Sequence, residues 1–172
     1  MKNQFTLAIL LAVMFSLVSC QQNTEKTTSA EPEVPAAPPT QVTTGQVMES
    51  LPISQLEAIY TTCDFADFIF YEPSFSMSQD EPASIQQVLG LIAAQPATLD
   101  PACKPRGRVF FQVKGEDKLV ADIYLGDQCN YFVFIENDKP AFANLMIPQG
   151  VQYFNNSIQQ VLQMQQEAQQ GH

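Results

Sequence analysis

The side chains able to move a proton or attack a bond are few in this chain, and they are poorly grouped. Its single histidine, His172, is the last residue and stands on a polar tail. A Ser-His-Asp or Cys-His nucleophilic site needs an imidazole held within about 3 Å of the nucleophile by ordered neighbours. Hydrolysis of that kind, and histidine-rich metal sites, are therefore not expected. Asp64 and Asp67 are three apart, a spacing that would put two carboxylates on one face of a helix. A glycosidase needs such a pair about 5 to 9.5 Å apart across a sugar, but a solvated face is what an amphipathic helix ordinarily shows to water. Asp80-Glu81 reads as helix capping, and Glu116-Asp117 and Asn137-Asp138 read as turns. No Gly-rich phosphate loop, Walker motif or dinucleotide fingerprint occurs. The sequence nominates no catalytic residue, no metal ligand and no cofactor.

The clearest chemistry belongs to Cys20. It follows a basic start with Lys2, an apolar stretch from Phe5 to Val18 and the small Ser19, which are the three parts of a secretory signal. The stretch falls short of the roughly 20 apolar residues that a membrane-spanning helix needs. Leu17-Val18-Ser19-Cys20 resembles the lipobox of bacterial lipoprotein precursors, a resemblance confined to residues 1–20. It implies that residues 1–19 are removed, that the Cys20 thiol and the new amino terminus are acylated, and that the acyl chains hold the protein to a membrane. Two or three chains, at about 0.8 kcal/mol per buried CH₂, anchor far better than one. Enteric lipoproteins kept in the inner membrane carry an Asp after the Cys, whereas this chain has Gln21, which points to the outer membrane. Some bacteria display lipoproteins outside the cell through an acidic cluster at this place. Gln21-Gln22-Asn23-Thr24-Glu25 holds one acid, which favours the periplasmic face.

Without Lys2, seven basic residues stand against 18 acidic ones, a formal charge of −11. Such a surface repels phosphate backbones, which bind through Lys and Arg, so nucleic acid is not an expected partner. Residues 20–50 hold Pro32, Pro35, Pro38 and Pro39 and almost nothing large and apolar. Such a segment buries too little surface to offset its ordering entropy, and reads as a disordered Pro/Thr-rich tether spanning about 30 Å as a coil. Residues 51–165 are long enough for one domain with a real core, and 166–172 form a polar tail.

Between residues 53 and 71, Ser54, Glu57, Thr61, Asp64 and Asp67 recur every three or four positions, opposite Leu56, Ile59, Cys63, Ala66 and Phe70. That period predicts a helix. Ser78-Gln79-Asp80-Glu81 is a capping-box signal, and Pro82, Ile85, Val88, Leu89 and Ile92 continue it as a second helix that Pro96 stops. From Arg108 the period becomes two. Runs over 109–113, 119–125, 131–136 and 141–146 are separated by short turns, which predicts a four-stranded antiparallel meander. Pro148 opens a last helix with Val151, Phe154, Ile158, Val161 and Leu162 on one stripe. The expected fold class is α+β: two N-terminal helices, the meander and a C-terminal helix.

With Cys20 acylated, Cys63, Cys103 and Cys129 remain, an odd number for an oxidising compartment. Cys103 and Cys129 precede the first and third strands at one end of the meander and form the favoured pair, with Cys63 to Cys103 the rival. Cys63, on the apolar side of a helix, reads as an inert thiol. Strand alternation gathers Phe110, Val120, Tyr124, Phe132 and Phe134 on one sheet face, opposite Val109, Phe111, Leu119, Ile123, Val133 and Ile135. The expected arrangement packs the last helix on one face and the two early helices on the other and buries all of them; helices sharing one face would leave the first group as a partner surface. The expected function is a lipid-anchored envelope lipoprotein whose non-enzymatic domain binds or assembles with a protein, peptide or wall component. The alternatives are a small periplasmic enzyme using carboxylates or a thiol, and an inhibitor of a secreted enzyme.

Overall fold

The structure, a computed structural model, describes residues 45–170. The signal segment, Cys20, most of the expected tether and His172 lie outside the described residues. In chain order the elements are β1 (Gln46–Val47), α1 (Ile53–Thr62), β2 (Phe65–Phe70), β3 (Phe75–Gln79), α2 (Pro82–Leu89) and β4 (Ile92–Pro96). They continue with β5 (Thr98–Leu99), β6 (Pro105–Val113), β7 (Glu116–Tyr124), β8 (Tyr131–Glu136), β9 (Lys139–Met146) and α3 (Pro148–Gln170). Seven strands form one antiparallel sheet in the order β3-β2-β6-β7-β8-β9-β4, and β1 pairs with β5 in a separate ribbon.

This corrects the expected fold class. The four predicted strands are the centre of a larger sheet, and two segments expected as helix supply its flanks. The helix predicted over 53–71 stops at Thr62, where Cys63 turns extended (φ −63°, ψ 126°). Thr61 and Thr62 turn their hydroxyls back onto the carbonyls of Glu57 and Ala58, a bond that weakens a helix. The next six residues then alternate, with Ala66, Phe68 and Phe70 inward and Phe65, Asp67 and Ile69 outward. Phe75 to Gln79 alternate in the same way, so Ser78 and Gln79 end a strand, and α2 starts at Pro82 without a side-chain cap. Gly90 closes α2, and Ile92 begins β4 instead of extending the helix. In the meander, the turns at Lys114-Gly115 and Asn137-Asp138 have positive φ throughout, as the tightest hairpins require.

All three helices lie on one face of the sheet, not divided between the two faces as expected. Ile59 of α1, Ile85, Val88 and Leu89 of α2, and Phe154 and Ile158 of α3 form one buried cluster with Phe68, Phe70, Val109, Phe111, Ile123, Phe132 and Phe134. Phe154 sits at its centre, with ring centroids 5.9 Å from Phe68 and Phe70 and 6.2 Å from Phe132. The opposite face is covered in part by the β1–β5 ribbon and its neighbours, with Ala97, Met48, Leu99, Cys103 and Cys129 packed on Tyr131, Val133 and Ala143. Residues 45–50, expected in the tether, thus belong to the fold: Met48 N–H donates to the Ala97 carbonyl and Ala143 N–H to that of Glu49. At the other end α3 runs to Gln170, through most of the expected tail.

Candidate functional site

One side of α3 and the free edge of the sheet enclose a groove. On β3, Phe75, Met77 and Gln79 point to the helical side, because they pair with the inward residues Phe70, Phe68 and Ala66. On α3, Tyr153, Ser157, Gln160, Val161 and Met164 fall at three- and four-residue spacings and so share a helix face. Between the two rows lies an open volume of about 440 Å³. Its walls are fixed from below: Phe75 stacks on Phe70 at 4.6 Å, and Tyr153 meets the buried Phe154 edge-on at 5.1 Å. Gln79 Nε2 donates to Tyr153 Oη at 3.5 Å, and Ser157 Oγ donates to the Tyr153 carbonyl at 3.0 Å. Burial pushes the Tyr153 hydroxyl above its ordinary pKa, the Gln79 bond opposing, so the phenol is neutral at neutral pH. Met164, at the open end, is 60 % exposed.

The groove also exposes backbone. Tyr71 N–H donates to the Arg106 carbonyl, so alternate residues of β2 from Tyr71 backwards turn their amides to β6, and those between turn theirs to β3. Phe75, Met77 and Gln79 are therefore the residues of β3 that bond to β2, while Ser76 and Ser78 aim their N–H and C=O groups off the sheet. No Lys or Arg occurs in residues 72–103 or in α3, whereas Glu72, Asp80 and Glu81 bracket β3.

A second cavity of similar size lies on the other side of α3, lined by Arg106, Leu125, Asp127, Asn130 and Asn155. Two of its polar groups are committed: Arg106 donates to the Glu72 carbonyl at 2.9 Å, and Asn130 Oδ1 accepts from Gly126 N–H. The β3–α3 groove is the stronger candidate, since it offers apolar walls and free main-chain groups together.

The residues singled out in the sequence are dispersed. Asp64 precedes β2 and binds the Lys114 N–H with both carboxylate oxygens (3.1 and 2.9 Å), and Asp67, on the outer face of β2, accepts from Ser78 Oγ at 2.9 Å. The two acids do not share a helix face, so the carboxylate-pair reading loses its geometry. Cys103 and Cys129 form a disulfide with Cα atoms 5.9 Å apart. Cys63 is a free, half-buried thiol that donates to the Phe65 carbonyl at 3.3 Å, and burial raises its pKa. Glu116 is paired with Lys118, which lowers its pKa.

The expected partner surface is split. Phe110, Val120 and Tyr124 lie half-buried on the outer face beside the Arg108–Asp122 ion pair (2.7 Å). Phe132 and Phe134 pair with Ile123 and Ala121 and are fully buried beneath the helices. The groove itself carried a sequence signal that was overridden. Residues 75–79 alternate large and small, but the capping pattern of Ser78 to Glu81 drew Ser78 and Gln79 into a helix and left Phe75 to Met77 without an element, and α3 has a second stripe beside its main one. The chain matches no protein-family model, no curated protein and no solved structure.

Proposed function

We propose that this protein is a lipid-anchored binding module of a bacterial cell envelope, carried on Cys20 at the outer membrane and facing the periplasm. The anchoring half rests on Leu17-Val18-Ser19-Cys20 at the end of the apolar run and on the Pro-rich residues that follow. The binding half rests on one observation, the groove in which β3 leaves backbone donors and acceptors free beside the apolar wall of Phe75, Met77, Val161 and Met164. A helix-walled edge strand of this kind recognises extended segments through main-chain bonds and side-chain pockets.

Each half has its own test. Changing Cys20→Ala should move the protein from the membrane pellet to the soluble fraction; a variant that still sediments after a high-salt wash refutes the anchor. For binding, a photo-crosslinking side chain at position 164 should give a discrete adduct in intact cells, and the same group at the exposed position 139 should not. Equal labelling from both positions would remove the groove from consideration.

A further inference from the structure

We propose that the groove takes up an extended basic segment of another protein, which joins the sheet as an eighth strand beside β3; the inference rests on the binding-module reading and names its occupant. The β3 edge is built to accept a strand. Natural sheets protect their edges with charge, proline, bulges or a covering element. The β4 edge has Pro96 and an irregular register with β9. By contrast, β3 reads Phe-Ser-Met-Ser-Gln, with no charge, no proline and an unbroken register with β2. Ser76 and Ser78 offer two donors and two acceptors at the spacing of a neighbouring strand. Alternate side chains of an added strand would fall between β3 and α3, against Met77, Tyr153, Val161 and Met164, and the others beside the two serines.

Charge selects among the occupants. A second copy paired antiparallel through β3 would bring Asp80 and Glu81 beside Glu72 of its neighbour at both ends of the junction, and like charges across a strand pair are destabilising. Residues 21–44 of this chain are no better suited: they contain Lys26 against Glu25, Glu31 and Glu33, and four prolines that cannot donate to a ladder. A segment with Lys or Arg beside two or three apolar residues meets Asp80 and Glu81 at the α2 end of β3, where residues 72–103 and α3 supply no competing cation, whereas at the other end Arg106 already lies against Glu72.

The test is fluorescence anisotropy of a labelled decapeptide of alternating lysine and valine, titrated with the full acylated chain in detergent. Saturable binding is expected. It should weaken by about tenfold or more when glutamate replaces lysine in the peptide. A similar loss should follow Ser76→Pro with Ser78→Pro, which removes the outward N–H groups and the Ser78 Oγ bond to Asp67 on the far face but spares the β2 ladder. A peptide N-methylated on alternate amides tests the same bonds with the protein unchanged, and should also lose binding. Undiminished binding of the N-methylated peptide, equal binding of the glutamate peptide, or no binding would each overturn the proposal, as would a sedimenting dimer abolished by the proline pair. If the peptides fail but the adduct at position 164 persists, the occupant is wrong and the binding-module reading stands; loss of both removes that reading too.

Discussion

Asn144 is 2 % exposed, and both ends of its carboxamide are used: Oδ1 accepts from Leu51 N–H and Nδ2 donates to the Ala93 carbonyl, each at 2.8 Å. One side chain thereby ties the start of the fold and β4 to β9. Asn144→Leu keeps the volume and leaves two backbone groups unpaired, at about 1 to 3 kcal/mol each. We expect denaturant unfolding to show a loss of about 2 to 5 kcal/mol at unchanged m-value, and a loss under 1 kcal/mol would show that water replaces the amide. Nothing in the sequence marks this residue, because a polar residue in a period-two run reads as solvent-facing. Cys63 was read as lying on the apolar side of a helix; it stands just past the end of α1, half-buried, and burial raises its pKa. A thiol whose folded pKa is raised contributes stability that is complete below its ordinary value of 9.0 and is lost as pH rises through the higher folded value. Cys63→Ala should therefore lose less stability than the parent above pH 9. An identical pH dependence of the two melting curves would mean that the thiol titrates alike in both states.

At the scale of elements, a one-residue difference in register decides what a strand shows to each side. The alternation within β8 was legible, but its phase was not, because residues 125–130 separate it from β7 and include the disulfide-bonded Cys129. The observed pairing of Phe134 with Ala121 and Phe132 with Ile123 turns both rings under the helices, and Val133 to the other face. Phe134→Asp consequently places a carboxylate in the central cluster without a partner, at a cost of more than about 4 kcal/mol. Phe110→Asp, on the half-buried outer face, should cost much less. A melting temperature for Phe134→Asp within a few degrees of the parent would refute the register. The strands β6 to β9 and α3 were legible because turn residues and period agreed, although β6 to β9 are only the centre of a seven-stranded sheet and α2 starts at Pro82, not at the Ser78 cap. The strands β2 and β3 were not, because the carboxylates of Asp64 and Asp67 fitted a helical period and Ser78 fitted a cap. Tertiary pairing overrode both signals: Phe68 and Phe70 bury completely only as alternate residues of a strand beside β6. The groove lies where those two misreadings meet, so it was out of reach until the edge of the sheet was known.

For the whole molecule, charge is the least balanced property, with 18 acidic residues against 8 basic ones and a formal charge of −10 for the full chain. Among the described residues two ion pairs form, Arg108 with Asp122 and Lys118 with Glu116. The second is between exposed groups two residues apart and adds little. The described cations all lie between Lys104 and Lys139, while α2, β3, β4 and α3 carry none, so Asp80 and Glu81 have no counter-charge on their own stretch of chain, whereas Arg106 lies against Glu72. Self-repulsion of this kind opposes the compact state and is relieved by screening. Raising sodium chloride from about 0.01 M to about 0.15 M shortens the Debye length from about 30 Å to about 8 Å. That weakens repulsion between separated acids, while the Arg108–Asp122 contact at 2.7 Å with Asp122 largely enclosed is screened much less. The melting temperature should therefore rise by about 2 to 5 °C, on the order of 1 kcal/mol for a protein of this size. The rise should be smaller in a variant with Glu72→Gln, Asp80→Asn and Glu81→Gln, because these changes remove the charge that salt would screen. A melting temperature that falls with salt would show that attraction outweighs repulsion in the folded chain, and would take with it the electrostatic preference of the groove for a basic partner.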